Sequence, residues 1–198
     1  VVACPTIHDD IVYIGGSDAK FRAINLHDGR LKWDYSGISA FVETKPLVDR
    51  EKVVFGAWDT YLYALNVSDG SLAWRWSNGT PTLNLSPAAC WPVAFENRLF
   101  IVAPDRAMTA IELETGKELW RSKAHQVREA LGISNDGSRV YAKCMNDTLF
   151  AFSSTSSTGE LVWATSCGYG YDIDPSMPME KDGVVFFGHK NGTVFAPD

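Results

Sequence analysis

The chain has 198 residues, of which 45% are hydrophobic and 12% aromatic, a composition typical of a globular protein and not of a disordered or fibrous chain. Its formal net charge of −6 argues against a nucleic-acid surface, because phosphate binding needs clustered Lys and Arg. The longest apolar runs, such as Leu99 to Ala103, are far shorter than the about 20 residues that cross a bilayer as a helix.

The first predicted unit, about residues 3–35, shows the pattern that the rest of the chain repeats. A strand is predicted after Pro5, a second and a third on either side of a turn at Asp18, and a fourth between Gly29 and Trp33. Val, Ile, Phe and Tyr alternate with polar residues in these runs, which is typical of strands. The unit therefore predicts four antiparallel strands.

The closing phrase of this unit recurs downstream. The four copies are AINLHDGRLKW at residues 23–33, ALNVSDGSLAW at 64–74, AIELETGKELW at 110–120 and the longer AFSSTSSTGELVW at 151–163. Four-stranded units that recur about every 40 to 50 residues are typical of β-propeller blades. The remaining units are predicted at about residues 44–76, 90–122 and 131–165, with a partial unit at 176–198.

The phrase A-x-x-x-x-[TD]-G-x-x-x-W resembles the tryptophan-docking motif of the pyrroloquinoline-quinone (PQQ) type propeller repeat. The resemblance covers nearly the whole chain and implies an all-β propeller of four-stranded antiparallel blades. We expect an incomplete propeller of four full blades and part of a fifth, a single domain over residues 1–198. The resemblance also implies that each Trp packs at a blade junction beside the turn of the neighbouring motif. The predicted docking residues are Trp33, Trp74, Trp120, Trp163, Gly29, Gly70, Gly116 and Gly159.

No cofactor, metal site or catalytic residue is predicted for this chain. Family members that use the quinone as dehydrogenases pair it with a vicinal Cys-Cys disulfide and a calcium site, and this sequence has no adjacent cysteines. We interpret its four widely spaced cysteines as buried single thiols and not as disulfides. The histidines show no metal-binding spacing. The chain is therefore predicted not to be an enzyme.

Two acidic clusters leave a metal as an alternative. His8 is followed by Asp9 and Asp10, but these residues fall between two predicted strands, and we interpret them as a solvated turn. Asp172 and Asp174 lie in GYGYDIDP, where a Gly-punctuated loop with several oxygen ligands is missing. Both clusters are predicted to be loops.

The segments that join each outer strand to the next inner strand are long and varied. These crossings, residues 36–46, 77–92, 122–132 and 166–178, lie at the mouth of the channel in a propeller, where ligands bind. Alternatively, Arg128 and Glu129 only pair with neighbouring blades and contact no ligand. The candidate ligand or partner residues are Glu43, Lys45, Trp91, Arg128, Glu129, Tyr171 and Asp172.

The resemblance favours a non-catalytic recognition or scaffold module. Within the family, GAWDTYLYALN and SPAACWPV look most like the propeller attached to bacterial calcineurin-like metallophosphoesterases, whose metal motifs would lie outside this chain. The alternative, from another class, is a fragment of a PQQ-dependent quinoprotein dehydrogenase.

The same resemblance implies an extracytoplasmic location, in the periplasm or cell envelope. We expect a protein, peptide or saccharide-like ligand at the channel mouth and no nucleic acid. An open ring would expose apolar blade faces, and two copies would then associate as a dimer.

Overall fold

The structure is a computed structural model that describes residues 3–77, 86–102, 105–171 and 176–196. In this part of the chain nineteen strands form five antiparallel sheets, and the all-β prediction is confirmed. Four sheets have four strands each and the fifth has three, with hydrogen-bonded neighbours that follow one another in sequence. The described residues include one short 3-10 helix, Pro87–Ala89, and no helix long and apolar enough to cross a membrane.

The chain is divided into two compact units. The first comprises residues Val1–Pro92 and the turn Leu113–Lys117. Its first sheet contains β1 (Thr6–His8), β2 (Ile11–Gly15), β3 (Phe21–Asn25) and β4 (Leu31–Tyr35). Its second sheet contains β5 (Leu47–Asp49), β6 (Lys52–Gly56), β7 (Leu62–Asn66) and β8 (Leu72–Trp76).

The second unit comprises residues Val93–Glu112 and Glu118–Asp198. The third sheet contains β9 (Val93–Phe95), β10 (Arg98–Val102), β11 (Met108–Glu112) and β12 (Glu118–Ser122). The fourth contains β13 (Leu131–Ile133), β14 (Arg139–Lys143), β15 (Asn146–Ser153) and β16 (Leu161–Tyr171). The fifth contains β17 (Met179–Lys181), β18 (Val184–Gly188) and β19 (Val194–Phe195).

Burial differs between the middle and outer strands of a sheet. Every residue of β6 is buried, and so are all but the last of β7, because these strands are covered on both faces. The outer strand β8 instead buries only Trp74 and Trp76, two residues apart, as expected for side chains that alternate between faces. The tryptophan of the repeated phrase therefore points into the packed side of its sheet.

The indole of Trp74 lies against the turn at residues 113–117. Its ring N–H donates to the carbonyl oxygen of Leu113 at 2.7 Å. A Cβ added to Gly116, whose φ is +73°, would lie 2.7 Å from Trp74 Cδ2, so the ring occupies the space that a side chain would need. Equivalent contacts join Trp33 to Val67 and Gly70, and Trp120 to Ser156 and Gly159.

Among the residues that the structure describes, no such contact is made by the first turn or the last tryptophan of the series. No atom lies within 4 Å of a Cβ added to Gly29, although its φ of +69° matches that of Gly116. Trp163 is half-buried and packs against Tyr141, with ring centroids 5.9 Å apart. Each described contact thus pairs a tryptophan with the turn of the following phrase.

The structure corrects the prediction of buried thiols for one cysteine. All four cysteines are free; Cys90 and Cys144 are buried as predicted, and Cys167 is half-buried. Cys4, however, is exposed; like the exposed Pro5, it lies in the segment that precedes β1 and belongs to no strand.

The outer strand of the fourth sheet is longer than predicted. We expected a crossing loop from residue 166, but β16 continues to Tyr171. After a register shift, Tyr171 pairs with Asn146 at the start of β15. This extension carries Tyr171 to the edge of the cleft described next.

Candidate functional site

The predicted residues Glu43 and Lys45 lie in the crossing at residues 36–46, and Trp91 lies in the crossing at residues 77–92. Glu43 accepts a hydrogen bond at 2.9 Å from the Trp58 indole N–H. Lys45 is exposed and Trp91 is half-buried. In the described part of the chain, no hydrogen bond or ion pair joins Glu43, Lys45 and Trp91 to one another. The two crossings nevertheless touch, because the Thr44 hydroxyl donates to the Cys90 carbonyl at 2.5 Å.

A second carboxylate at the crossing of residues 36–46 is also fully engaged. Asp59 accepts from the Ser39 amide at 2.9 Å and from the Tyr63 hydroxyl at 2.6 Å. Burial and the Asp59 carboxylate raise the pKa of Tyr63, so this phenol remains protonated. The acidic groups of the first unit's crossing thus have donors of their own.

The crossing at residues 122–132, in the second compact unit, contains a buried ion pair. Arg128 Nε lies 3.0 Å from Glu129 Oε2, and the Glu129 side chain is only 6% exposed. These adjacent residues pair with each other, and Glu129 is too buried to meet a partner at the surface. Tyr171 is 57% exposed, and Asp172 lies outside the described residues.

A cleft of about 430 Å³ opens beside this pair. Of the predicted residues it brings together Arg128 and Tyr171, and it adds Arg106 and His125, which sequence reasoning missed. The complete lining is Arg106, Ala124, His125, Gln126, Arg128, Cys144, Met145, Asn146, Phe150 and Tyr171.

Two backbone hydrogen bonds hold the crossing in place beside the cleft. The Val127 amide donates to the Arg106 carbonyl at 3.4 Å, and the Arg128 amide donates to the Lys143 carbonyl at 2.7 Å. Val127 is fully buried in the apolar core. Val127 thus anchors the crossing in the core, and the next residue, Arg128, lines the cleft.

The extended hairpin of β15 and β16 is fixed by Asp147. Its carboxylate accepts from the Ser166 hydroxyl at 2.5 Å and from the Gly170 amide at 3.0 Å, and these bonds hold the pKa of Asp147 below its usual range. Beyond the hairpin, Lys190 lies 5.6 Å from the centre of the Tyr171 ring. The strand therefore presents Tyr171 from a fixed backbone.

The cleft combines positive charge with an apolar wall. Its described lining residues include no carboxylate and two guanidinium groups, of which that of Arg128 pairs with Glu129. The ring of His125 lies 4.7 Å from that of Phe150. Asp105, which directly precedes Arg106, lies 2.6 Å from Arg121 and 2.8 Å from Lys123. Such a site can bind an anion that carries an apolar group.

The described lining contains no nucleophile hydrogen-bonded to a base. The Cys144 sulfur accepts from the Asn146 amide at 3.2 Å. Within the described ranges, no group of three His, Cys, Asp or Glu residues is arranged to hold a metal ion.

The family described as outer membrane protein assembly factor BamB matches residues 1–94 and 75–198, which together span the chain. The chain belongs to this family. It is the PQQ-type repeat family that the tryptophan phrases predicted. A search among curated proteins gives no match.

Solved structures share the fold at low sequence identity. BamB from Moraxella catarrhalis superposes with a TM-score of 0.78 and 17% identity, over 98% of this chain and 60% of that one. The computationally designed Ika8 protein gives 0.78 and 21%, over 97% and 56%. The quinohemoprotein alcohol dehydrogenase ADHIIG from Pseudomonas putida HK5 gives 0.72 and 18%, over 99% and 40%.

These similarities confirm the predicted β-propeller fold, with the five sheets as its blades. The chain spans between two fifths and three fifths of the lengths of these three proteins. None of the three is a metallophosphoesterase, and that association stays a prediction.

Proposed function

We propose that the chain is a non-catalytic recognition or scaffold module that binds a protein partner through the crossing at residues 122–132. The observation that carries this proposal is the cleft beside Arg128 and Tyr171, which has charged and aromatic lining residues but no nucleophile-base pair among those described. The family's description as an assembly factor supports a role in contact with other proteins.

The same description supports an extracytoplasmic location, because it names the assembly of outer membrane proteins. The parent is proposed to be a larger bacterial protein. A metallophosphoesterase domain in that parent rests on the sequence phrases given above.

We also propose that two copies of the chain associate. The fifth sheet exposes apolar side chains, with Met179 66% and Val194 68% exposed. Two copies that meet there would form a dimer, and light scattering across a dilution series would show its dissociation. A constant monomer mass at all concentrations would rule the dimer out.

The second candidate is a fragment of a quinoprotein dehydrogenase, favoured by the similarity to ADHIIG over 99% of this chain. Titration with PQQ and Ca²⁺, followed by an alcohol and a redox dye, separates the two candidates. The recognition module neither retains the quinone chromophore nor reduces the dye. A stoichiometric chromophore with dye reduction would favour the dehydrogenase.

Photo-crosslinking in cells that express the parent protein tests the recognition function. A photoreactive p-benzoylphenylalanine replaces Gln126, which is exposed and lines the cleft, or Ser157, which is exposed in the turn at the other end of β15 and β16. We expect a discrete protein adduct from position 126 and none from position 157. Equal adducts from both positions, or none from either, would overturn the proposal.

A further inference from the structure

The guanidinium of Arg106 faces the cleft with a weak partner. Its Nη1 lies 2.7 Å from the thioether sulfur of Met145, another lining residue. Arginine has five N–H donors and a permanent charge, whereas a thioether is only a weak acceptor. Arg106 therefore has most of its hydrogen-bonding capacity available to a ligand.

The aspartates next in sequence to the lining residues Arg106 and Asn146 are bound to other donors. Asp105 lies within 2.8 Å of both Arg121 and Lys123, which lower its pKa although partial burial acts in the opposite direction. Asp147 is bound to Ser166 and the Gly170 amide. Within the described ranges, neither aspartate forms an ion pair with Arg106.

The crossing at residues 36–46 has a similar backbone but a residue of opposite charge. By strand register, Val42 corresponds to Val127, because Leu47 pairs with the third residue of β6 and Gly132 with the third residue of β14. Both valines are buried, and each donates its amide to the carbonyl of an earlier turn. In the first unit, however, the adjacent charge is Glu43, which already accepts from Trp58. The equivalent position of the crossing at residues 122–132 is Arg128, which pairs with Glu129. The charge that this cleft offers to a ligand is therefore that of Arg106, whose described partner is the Met145 thioether.

The wall of the cleft specifies the rest of the ligand. Phe150 and His125 form a ring pair on one side, and Tyr171 is 57% exposed at the rim. A volume of about 430 Å³ exceeds what a bare carboxylate fills and lies within the range of about 300 to 1,000 Å³ that is usual for ligand clefts. A flat apolar or aromatic group next to the anion would pack against this wall.

We propose that the cleft binds a carboxylate flanked by an apolar or aromatic group, with Arg106 as the residue that holds the carboxylate. Guanidinium groups pair with carboxylates through two parallel hydrogen bonds. The proposal rests on the recognition function and assigns the chemical class of its ligand. The carboxylate belongs to an acidic segment of a partner protein or to a free organic acid, and the probes below distinguish these sources.

Methyl NMR of methionine provides a direct readout, because the chain has four methionines and Met145 lines the cleft. The Met145 signal is assigned with Met145→Leu. The probes are N-acetyl-Phe-Glu-amide, for a protein segment, and N-acetyl-phenylalanine, for a free acid. Their uncharged controls are N-acetyl-Phe-Gln-amide and N-acetyl-phenylalaninamide.

We expect saturable shifts of the Met145 methyl with the carboxylates and not with their amides. Arg106→Gln should weaken binding about tenfold or more, because a charge-assisted hydrogen bond is lost. Arg30→Gln, which removes the same charge from a side chain that is 86% exposed, should leave binding unchanged. Tighter binding of the glutamyl probe assigns a protein segment, and tighter binding of N-acetyl-phenylalanine assigns a free acid.

Equal shifts with acids and amides would overturn the proposal, as would equal effects of Arg106→Gln and Arg30→Gln. The absence of any Met145 shift would overturn it too. An adduct at position 126 without carboxylate binding would support the recognition function and refute the carboxylate as its ligand. Carboxylate binding without an adduct would instead leave a small-acid site and remove the scaffold function.

Discussion

Alanine substitutions at two glycines of the same type measure what the docked tryptophan contributes. Gly116 and Gly29 both sit in turns at positive φ, +73° and +69°, so alanine there is strained in either turn by about 1 to 2 kcal/mol. At Gly116 the new Cβ would also lie 2.7 Å from Trp74 Cδ2 and 2.8 Å from Cγ. At Gly29 it would meet nothing within 4 Å.

Overpacking of a filled site typically costs a further ~1 to 3 kcal/mol. We therefore expect Gly29→Ala to lower the free energy of unfolding by about 1 to 2 kcal/mol and Gly116→Ala by about 2 to 5 kcal/mol. In a chain of this size the difference corresponds to roughly 2 to 12 °C in melting temperature. Differential scanning calorimetry of both variants measures it. Equal destabilisation would mean that the indole moves aside freely and that its contact with the turn does not stabilise the fold.

Two further predictions concern the repeats and the acid stability. Trp74→Ala should lower the free energy of unfolding in urea by about 3 to 5 kcal/mol, and Trp163→Ala should lower it clearly less. Trp74 is 8% exposed and donates to Leu113, whereas Trp163 is only half-buried. Equal losses would contradict the docking. Lys123 and Arg121 lower the pKa of folded Asp105 despite its partial burial, so its stabilisation is complete above its unfolded pKa, near 4, and is lost as the pH falls through the lower folded value. Asp105→Asn should therefore lower the urea midpoint at pH 7 more than at pH 3, and an equal loss at both would refute this.

The repeated phrases made the strands predictable, because each carries its own turn signal and its own alternating apolar residues. Pro46 and Pro92 directly precede inner strands, as predicted. The extension of β16 was not predictable, since it depends on the hydrogen bonds of Asp147 to Ser166 and Gly170 across a bulge.

The cleft was only partly predictable. Arg128 and Tyr171 lie in crossings, and crossings are where propellers bind ligands, so position alone selected them. Arg106 follows a turn residue and has no motif of its own. Its role depends on the burial of Val127, which brings the crossing against the Arg106 carbonyl, and on the salt bridges that occupy Asp105. Such three-dimensional competition for partners leaves no pattern in one sequence.

The central claim is that the cleft recognises its ligand by charge, and a charge-reversal cycle tests it most directly. Affinities of the protein and of Arg106→Glu are measured for N-acetyl-Phe-Glu-amide and N-acetyl-Phe-Lys-amide from the Met145 methyl shift. Like charges in contact repel and opposite charges attract, so the cycle isolates the pairwise interaction. We predict that Arg106→Glu weakens the affinity for the glutamyl peptide about tenfold or more and strengthens the affinity for the lysyl peptide. Equal weakening of both peptides would contradict the claim.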